Sequence, residues 1–190
     1  YAPSYSDPAY SYAASVVDDF YIPNGYPALH LNYHGGKIER GSDNDLFLKN
    51  IGAIFNTNRQ KLGADAGIAI STTANATNLY IDVDVKSAKV QTYYVAVWVL
   101  ENNIASPNQN GATSDRHRVA NHALRYIASD YSSSYMLGDS LGVLTVNQVA
   151  GKSYTVPINS NWVVNNLEVL VIISDDTDVV NTAVCPVNAT

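Results

Sequence analysis

Residues 79–85 read Leu-Tyr-Ile-Asp-Val-Asp-Val, an uninterrupted alternation of aliphatic side chains with tyrosine or aspartate. Successive side chains of a β-strand point to opposite faces of its sheet, so this period of two predicts a strand. The residues predicted to face a hydrophobic core are Leu79, Ile81, Val83 and Val85. The residues predicted to face outward are Tyr80, Asp82 and Asp84. Such a strand requires neighbours that cover its aliphatic face.

Apolar or alternating runs continue on both sides of this stretch, separated by segments rich in turn-forming residues. Further strands are predicted at Ala66 to Thr73, Thr92 to Leu100, Leu141 to Val146, Ser153 to Ile158, Leu167 to Ser174 and Val180 to Val187. The stretch Val119 to Ala128 fits either a strand or a helix, and we favour a strand. Short strands at this spacing are typical of an antiparallel β-sandwich, which we predict for residues 64–190.

Helical spacing replaces the alternation in the first 63 residues. Asp7 is a suitable N-cap, and Pro8 suits the first position of a helix that we expect to end near residue 20 or 21. The predicted apolar face of this helix is Ala9, Ala13, Val16, Val17 and Phe20. A second helix is predicted after the capping side chains of residues 42–45. Its predicted buried face is Phe47, Ile51, Ile54 and Phe55.

Two short strands are predicted between these helices. Ala28 to Tyr33 ends at the Gly35-Gly36 turn, and Lys37 to Arg40 is its hairpin partner. The order helix, strand, strand, helix resembles the second half of a thioredoxin domain, and Gly25-Tyr26-Pro27 falls where that fold has its cis-proline. The predicted fold class is therefore α+β or mainly β. This resemblance implies a partial thioredoxin-like unit at residues 1–63, which we expect to precede the antiparallel β-sandwich.

Composition and charge exclude several classes of function. The 190 residues carry a net charge of −6, and no dense group of Lys and Arg occurs, so nucleic acid is not an expected partner. The one cysteine, Cys185, permits neither an internal disulfide nor a Cys-x-x-Cys pair, and we expect it to be a buried small residue. No leader or membrane-spanning run is visible, and we interpret Tyr1 as an internal start.

Five short segments resemble the family of twenty-eight-kilodalton outer-membrane lipoproteins of Gram-negative bacteria. They are Ser6-Asp7-Pro8, Gly25-Tyr26-Pro27, Val97 to Glu101, Asn121-His122-Ala123-Leu124-Arg125 and Val179-Val180-Asn181. The resemblance spans nearly the whole chain. It implies export, a lipid anchor on an upstream cysteine that this sequence lacks, and a position at the outer membrane that faces the surface or the periplasm. The family brings no catalytic residues to assign.

Tyr26 and Pro27 are the candidate binding residues. In thioredoxin-like proteins the cis-proline lies beside the Cys-x-x-Cys, and its strand offers backbone groups to an extended substrate chain. The portion that would hold those cysteines is absent here, so we favour a structural turn at Pro27 over peptide docking. Its absence leaves one edge of the Ala28 to Tyr33 strand unpaired, and we expect that edge to pair with a second copy or to be covered.

No metal site, cofactor site or catalytic residue is predicted. Asp115, His117 and His122 do not share one face of a strand or helix, and His30 and His34 are no better placed. An acidic turn lacks the ligand spacing of a calcium loop; its residues are Asp175, Asp176 and Asp178. No serine has an obvious general base beside it in the sequence, and serines are abundant throughout the turn-rich segments. Aromatic residues suited to a glycan- or peptide-binding face, about half of which must fill the core, are Tyr93, Tyr94, Trp98, Tyr131, Tyr135 and Trp162.

These observations favour a non-enzymatic domain of an exported outer-membrane lipoprotein, with a binding or structural role at the cell surface. One alternative is the docking and C-terminal portion of a thiol-disulfide oxidoreductase whose Cys-x-x-Cys lies upstream of Tyr1. Another is a surface adhesin that uses the aromatic residues. The partner that we consider is a protein or a peptide, and the membrane is reached only through the upstream lipid anchor.

Overall fold

The computed structural model describes residues 8–9, 11, 13, 16, 28–30, 37–39, 44–61, 64–107, 114, 118–131 and 138–187. The first 63 residues contribute β1 (Ala28–His30), β2 (Lys37–Glu39) and the helix α1 (Asn44–Lys61). The remainder contributes β3 (Ala66–Ala74), β4 (Asn78–Ser87), β5 (Gln91–Glu101), β6 (Ile104–Ala105), β7 (Val119–Ala120), β8 (Ala123–Ile127), β9 (Asp139–Leu144), β10 (Val149–Pro157), β11 (Leu167–Ser174) and β12 (Val179–Pro186), with a 3-10 helix at Val164–Asn166.

Two antiparallel sheets dominate the region after residue 63. The three-stranded sheet has the order β10-β4-β3, and the five-stranded sheet has the order β12-β11-β5-β8, with β9 pairing the other half of β5. Buried residues of both sheets form one hydrophobic core. Its members include Leu79, Ile81, Val83, Val95, Val97, Val171 and Ile173. The arrangement is mainly β and compatible with the predicted sandwich.

The alternation that predicted β4 is confirmed. Leu79, Ile81 and Val85 are completely buried, whereas Tyr80 is 42% exposed on the opposite face. The predicted strands near residues 66, 92, 167 and 180 are also present, and the stretch from 119 to 128 forms β7 and β8 rather than a helix. The predicted strand from Leu141 is shifted: β9 already ends at Leu144, because residues 145–148 form a turn in which Asn147 has a positive φ of 67°.

Side-chain hydrogen bonds join the two sheets at their margins. Between β3 and β12, the Thr72 hydroxyl donates to Pro186 O at 3.1 Å, and Asn181 Nδ2 donates to Ala66 O at 2.7 Å. Between β10 and β9, the Tyr154 hydroxyl donates to Asp139 Oδ2 at 2.9 Å. Burial and this bond raise the pKa of Tyr154 well above its ordinary value. The polar margins therefore fix how one sheet lies on the other.

The central strands β5 and β11 of the five-stranded sheet carry buried residues on both faces. The outer face of this sheet carries a second apolar cluster of Ala96, Ile172 and Val179, against which Trp98 and Leu170 pack. The N-terminal segment, of which residues 8–9, 11, 13 and 16 are described, lies partly on the same side. Its Ala13 forms a third apolar cluster with Ile127 of β8, and Val16 and Trp98 pack against that cluster. The hydroxyl of Ser11 also donates to Leu124 O of β8. The N-terminal segment is thus one of the covers of this sheet.

The first 63 residues contain the predicted hairpin, in which β1 and β2 pair with Leu29 opposite Ile38. The predicted second helix is present as α1. Its predicted buried face is only partly correct, since Phe55 is 54% exposed and the other three residues are half-buried. Among the described elements, α1 makes its main contacts with β2, a strand of only three residues. Such a short strand covers only a small part of an 18-residue helix.

Ala13 and Val16 are helical, but Pro8 and Ala9 lie in a turn and Ser11 is not helical, so the predicted start of the first helix at Pro8 is wrong. The other positions of this predicted helix lie outside the described residues. The thioredoxin-like unit, the boundary near residue 63 and the pairing of the free edge of β1 stay predictions. No helix among the described residues is long and apolar enough to cross a membrane.

The predicted burial of Cys185 is wrong. The thiol is free and half-buried on β12. It lies on the end strand of the five-stranded sheet and does not belong to the hydrophobic core that the two sheets share.

Candidate ligand-binding cleft

A cleft of ≈ 850 Å³ opens at one end of the two sheets. It lies where β5 ends at Glu101 and β10 ends at Pro157, with β8 as a third wall. The N-terminal segment and β6, which pairs with β7 in a separate antiparallel two-stranded sheet, complete it. The residues that line the cleft are Pro8, Ser11, Glu101, Asn103, Ile104, Ala105, Arg125, Tyr126, Pro157, Ile158, Asn159, Asn161, Trp162 and Val163.

A buried ion pair forms the floor of the cleft. Arg125 Nε donates to Glu101 Oε2 at 2.7 Å, and the two side chains are 7% and 2% exposed. Glu101 Oε1 accepts the backbone N–H of Val163 at 2.8 Å, while Arg125 Nη1 donates to Pro8 O at 2.8 Å. Buried charges are tolerated when they are paired and hydrogen-bonded in this way. The pair therefore ties β5, β8, the N-terminal segment and the loop after β10 together.

A β-bulge directs the guanidinium toward its partner. In the pairing of β5 with β8, Val99 lies opposite Tyr126 and Leu100 lies opposite Leu124, which leaves Arg125 as the extra residue on β8. A bulge bends the strand locally and redirects the side chain of the extra residue. This irregularity at the sheet edge explains how a long charged side chain reaches a buried carboxylate.

The loop of residues 158–163 presents Trp162 to the cleft. Asn159 Oδ1 accepts the N–H of Asn161 at 3.0 Å, and Asn159 O accepts the N–H of Trp162 at 3.0 Å. The next residue, Val163, is held by Glu101. Part of Trp162 packs against the core and part lines the cleft. The loop is therefore fixed on both sides of the indole, which is preorganised before any ligand binds.

The structure does not assemble the predicted candidate residues into one site. Tyr26 and Pro27 lie outside the described residues, so their binding role stays a prediction. Asp115, His117 and His34 also lie outside them. His122 instead pairs through Nδ1 with Glu168 Oε1 on β11. Within the described part of the chain, no group of three or more His, Cys, Asp or Glu is placed to hold a metal ion.

In the acidic turn between β11 and β12, the carboxylate of Asp175 accepts hydrogen bonds from other residues of the same turn. Asp175 Oδ1 accepts the N–H and the hydroxyl of Thr177, both at 2.7 Å, and the N–H of Asp178 at 2.8 Å. Partial burial would raise the pKa of Asp175, but these hydrogen bonds outweigh it and hold the pKa below its ordinary value. The carboxylate thus stabilises the hairpin turn.

The predicted aromatic face is also divided. Tyr93 is completely buried in the core, with its hydroxyl bonded to Asp65 O at 2.8 Å. Tyr94 bonds to Asp176 at 2.9 Å on the outer face of the sheet, and Trp98 packs in the cluster with Ala13. Tyr131 is exposed, and Tyr135 lies outside the described residues. Of the five that belong to the described part of the chain, Trp162 alone lines the cleft of the ion pair.

The sequence did not lead us to predict Glu101 and Arg125 as an ion pair or as residues of a site. A signal was present, because Glu101 continues the inward-facing series of β5 that includes Tyr93, Val95 and Val97. A glutamate at a core position of an apolar strand requires a buried partner. Arg125 is the one cation within the apolar run Ala123–Ile127, which makes it the natural candidate for that partner.

The sequence model of the family described as outer membrane protein Omp28 matches residues 14–189. The chain is therefore an outer membrane protein. It belongs to the Omp28 family, in agreement with the resemblance found in its short segments. No curated protein matches the sequence significantly.

Several solved structures share part of the backbone arrangement at low similarity. The β-glucosidase from Kluyveromyces marxianus has a TM-score of 0.34 and 11% identity, over 65% of this chain and 14% of that chain. The sporulation control protein Spo0M from Bacillus subtilis has a TM-score of 0.40 and 13% identity, over 67% of this chain and 50% of that chain. β-Glucosidase 3B from Thermotoga neapolitana, in complex with glucose, has a TM-score of 0.33 and 10% identity, over 65% of this chain and 16% of that chain. Likenesses at this level carry no argument about function.

Proposed function

We propose that the chain is a non-enzymatic binding domain of an exported outer-membrane lipoprotein, and that the cleft beside Glu101 and Arg125 is its binding site. One observation carries this proposal: the two charged side chains of the cleft are buried and bonded to each other and to the backbone. They hold the walls of a preformed concavity rather than being presented to a reactant.

The same contacts argue against catalysis in the cleft. A general acid or base must reach the proton of a reacting group with an unoccupied atom. Both carboxylate oxygens of Glu101 accept hydrogen bonds from Arg125 and Val163. Releasing Oε2 would leave both charges buried without their partner, which costs about 3–5 kcal/mol, and releasing Oε1 would leave the N–H of Val163 without its acceptor. Glu101 is therefore suited to a structural role.

The size and lining of the cleft suit binding. Its volume of ≈ 850 Å³ lies within the range of about 300–1,000 Å³ that is usual for small-molecule sites. Apolar walls with a few placed polar groups are typical of such sites. Ile104, Ile158 and Trp162 supply apolar surface here, and asparagine side chains supply polar groups.

The finer description of the fold belongs to the same proposal. We infer that residues 1–63 are the second half of a thioredoxin-like unit and that residues 64–190 are a β-sandwich. The hairpin of β1 and β2 followed by α1 supports the first inference, and the core shared by two antiparallel sheets supports the second. A lipid anchor on a cysteine upstream of Tyr1 would hold the domain at the membrane.

A binding screen with a blocked cleft tests the proposed function. The purified chain and two variants are screened by surface plasmon resonance against oligosaccharides and unstructured peptides. Asn161→Trp places a large side chain at the mouth of the cleft, and Asn165→Trp is the control. Asn165 is exposed four residues further along the same loop region and does not line the cleft. We expect at least one binder whose binding is lost in Asn161→Trp and retained in Asn165→Trp. The proposal would be contradicted if every bound compound also bound Asn161→Trp with unchanged affinity, if no compound bound, or if a bound compound were chemically converted.

A further inference from the structure

We propose that the ligand of the cleft is a neutral saccharide, held by the indole of Trp162 and by the side-chain amides of Asn103, Asn159 and Asn161. This inference rests on the proposed binding function and specifies the chemical class of the ligand. It is argued from the charge, the polar groups and the aromatic surface of the cleft.

The described residues that line the cleft offer a ligand no charge outside one ion pair. Among the described residues that line it, Glu101 and Arg125 are the charged ones, and they neutralise each other at 2.7 Å. An ionic ligand would have to compete for one partner and leave the other buried and unpaired. A neutral ligand leaves the pair intact, so the cleft selects against charged compounds.

The polar groups at the rim match hydroxyl groups. Asn103, Asn159 and Asn161 are exposed, and neither Asn103 nor Asn161 uses its side-chain amide in a hydrogen bond with the described residues. Asn159 uses Oδ1 within the loop, which leaves its NH₂ group to donate. An amide offers donors and an acceptor without charge, and a hydroxyl group is likewise both donor and acceptor. Several such amides around one cleft suit a ligand with several hydroxyl groups.

The aromatic surface matches the apolar side of a sugar ring. Trp162 is fixed by the hydrogen bonds of the residues on either side of it, and Tyr126 is exposed on the neighbouring wall. Indole rings provide a large flat contact area at little conformational cost. A pyranose ring, whose C–H groups form a flat face and whose hydroxyl groups point sideways, contacts the indole and the amides at once.

An extended peptide suits the cleft less well. Peptides commonly add to a sheet through the backbone groups of an unpaired strand edge. The edge next to the cleft belongs to β8, where Leu124 O already accepts the Ser11 hydroxyl and the N-terminal segment lies alongside. The backbone of Arg125 is further displaced by the bulge. The geometry therefore favours side-chain recognition of hydroxyl groups over strand addition.

Tryptophan fluorescence tests the ligand class directly. The chain has two tryptophans, and Trp98 packs with Ala13 and Ile127 away from the lining of the cleft. Trp98→Phe therefore leaves Trp162 as the reporter. This variant is titrated with neutral gluco-, manno- and N-acetylglucosamine oligosaccharides, with sulfated and sialylated oligosaccharides, and with neutral unstructured peptides. If Trp98→Phe does not fold, the wild-type chain is titrated by isothermal calorimetry instead.

We expect a neutral oligosaccharide to change the Trp162 emission with an affinity that is insensitive to salt. Asn161→Ala should weaken this binding about fivefold to tenfold, the value of one hydrogen bond, and Asn165→Ala should leave it unchanged. If a peptide or a charged saccharide binds the cleft instead and is lost in Asn161→Trp, the ligand class is wrong and the binding function stands. If no compound binds the cleft, both proposals are wrong.

Discussion

The two sheets of this protein use their outer faces differently. On the central strand β4 of the three-stranded sheet, buried and exposed residues alternate, with Asp82 and Asp84 in solvent. On the central strand β5 of the five-stranded sheet, residues of both faces are buried, and Ala96 on the outer face is 0% exposed. The N-terminal segment supplies part of this cover. The cleft therefore lies at the end of the sheet that is covered on both faces, where β5 ends at Glu101 next to the N-terminal segment.

The largest expected effect concerns the ion pair below this cover. Arg125→Met leaves Glu101 buried without its partner, and we expect the free energy of unfolding to fall by about 3–5 kcal/mol. Urea denaturation followed by circular dichroism measures the change. Arg118→Met, at an exposed arginine nearby, is the control and should change stability by less than about 0.5 kcal/mol. Equal effects of the two substitutions would show that the pair does not stabilise the end of the sheet.

The outer faces of the two sheets are compared by a second pair of substitutions. Ile172→Ala removes a side chain from the covered outer face of the five-stranded sheet, so we expect a loss of about 2–4 kcal/mol. Tyr80→Ala changes the exposed outer face of the three-stranded sheet and should cost less than about 1 kcal/mol. Thermal unfolding of both variants is the measurement. A cost for Ile172→Ala as small as that for Tyr80→Ala would break the comparison.

A glycine immediately before β9, beside the five-stranded sheet, gives a third test. Gly138 has a φ of +88°, and a Cβ added there would lie 2.1 Å from Val95 O of β5. Gly138→Ala should therefore destabilise the protein by more than about 2 kcal/mol, since both backbone strain and overlap are added. Gly142 also has a positive φ, of +73°, but has open space at its Cβ position. Gly142→Ala should cost only about 1 kcal/mol, and a similar cost for both in urea denaturation would contradict the close approach at Gly138.

The strands were predictable because most of their signals are local. The alternation of residues 79–85 reports one buried and one exposed face, and the unbroken apolar run of residues 95–100 reports burial on both faces. The position of β9 was less predictable, since it depends on Gly138 approaching Val95 and on the turn through Asn147. These are contacts between distant residues, and a local pattern does not contain them.

The cleft was not predictable from spacing. Glu101 and Arg125 are 24 residues apart, and they meet because β8 pairs with β5 and a bulge displaces Arg125. Phe55 illustrates the opposite error, since its helical spacing suggested burial while the small partner β2 leaves it exposed. Periodicity tells which residues share a face, whereas the size of the opposing surface decides whether that face is covered.

The smallest expected effect concerns pH and the turn that ends the five-stranded sheet. Because the pKa of Asp175 is lowered by folding, its contribution to stability is present above the unfolded value of about 3.9 and is lost as the pH falls through the lower folded value. Wild type should thus lose slightly more stability than Asp175→Asn between pH 5 and pH 2, each measured by urea denaturation. Identical pH profiles would show that the Asp175 carboxylate does not stabilise the turn.

The most direct test of the cleft as the binding site is a two-dimensional ¹H–¹⁵N spectrum of the intact chain during titration with neutral oligosaccharides. The chain has two indole N–H groups, one on Trp162 in the cleft and one on Trp98 beneath the N-terminal segment. We predict that the signals of the Trp162 indole and the Asn161 side-chain amide shift with ligand concentration while that of the Trp98 indole does not. Shifts confined to the exposed face around Tyr80, or to Trp98 alone, would contradict the assignment of the cleft.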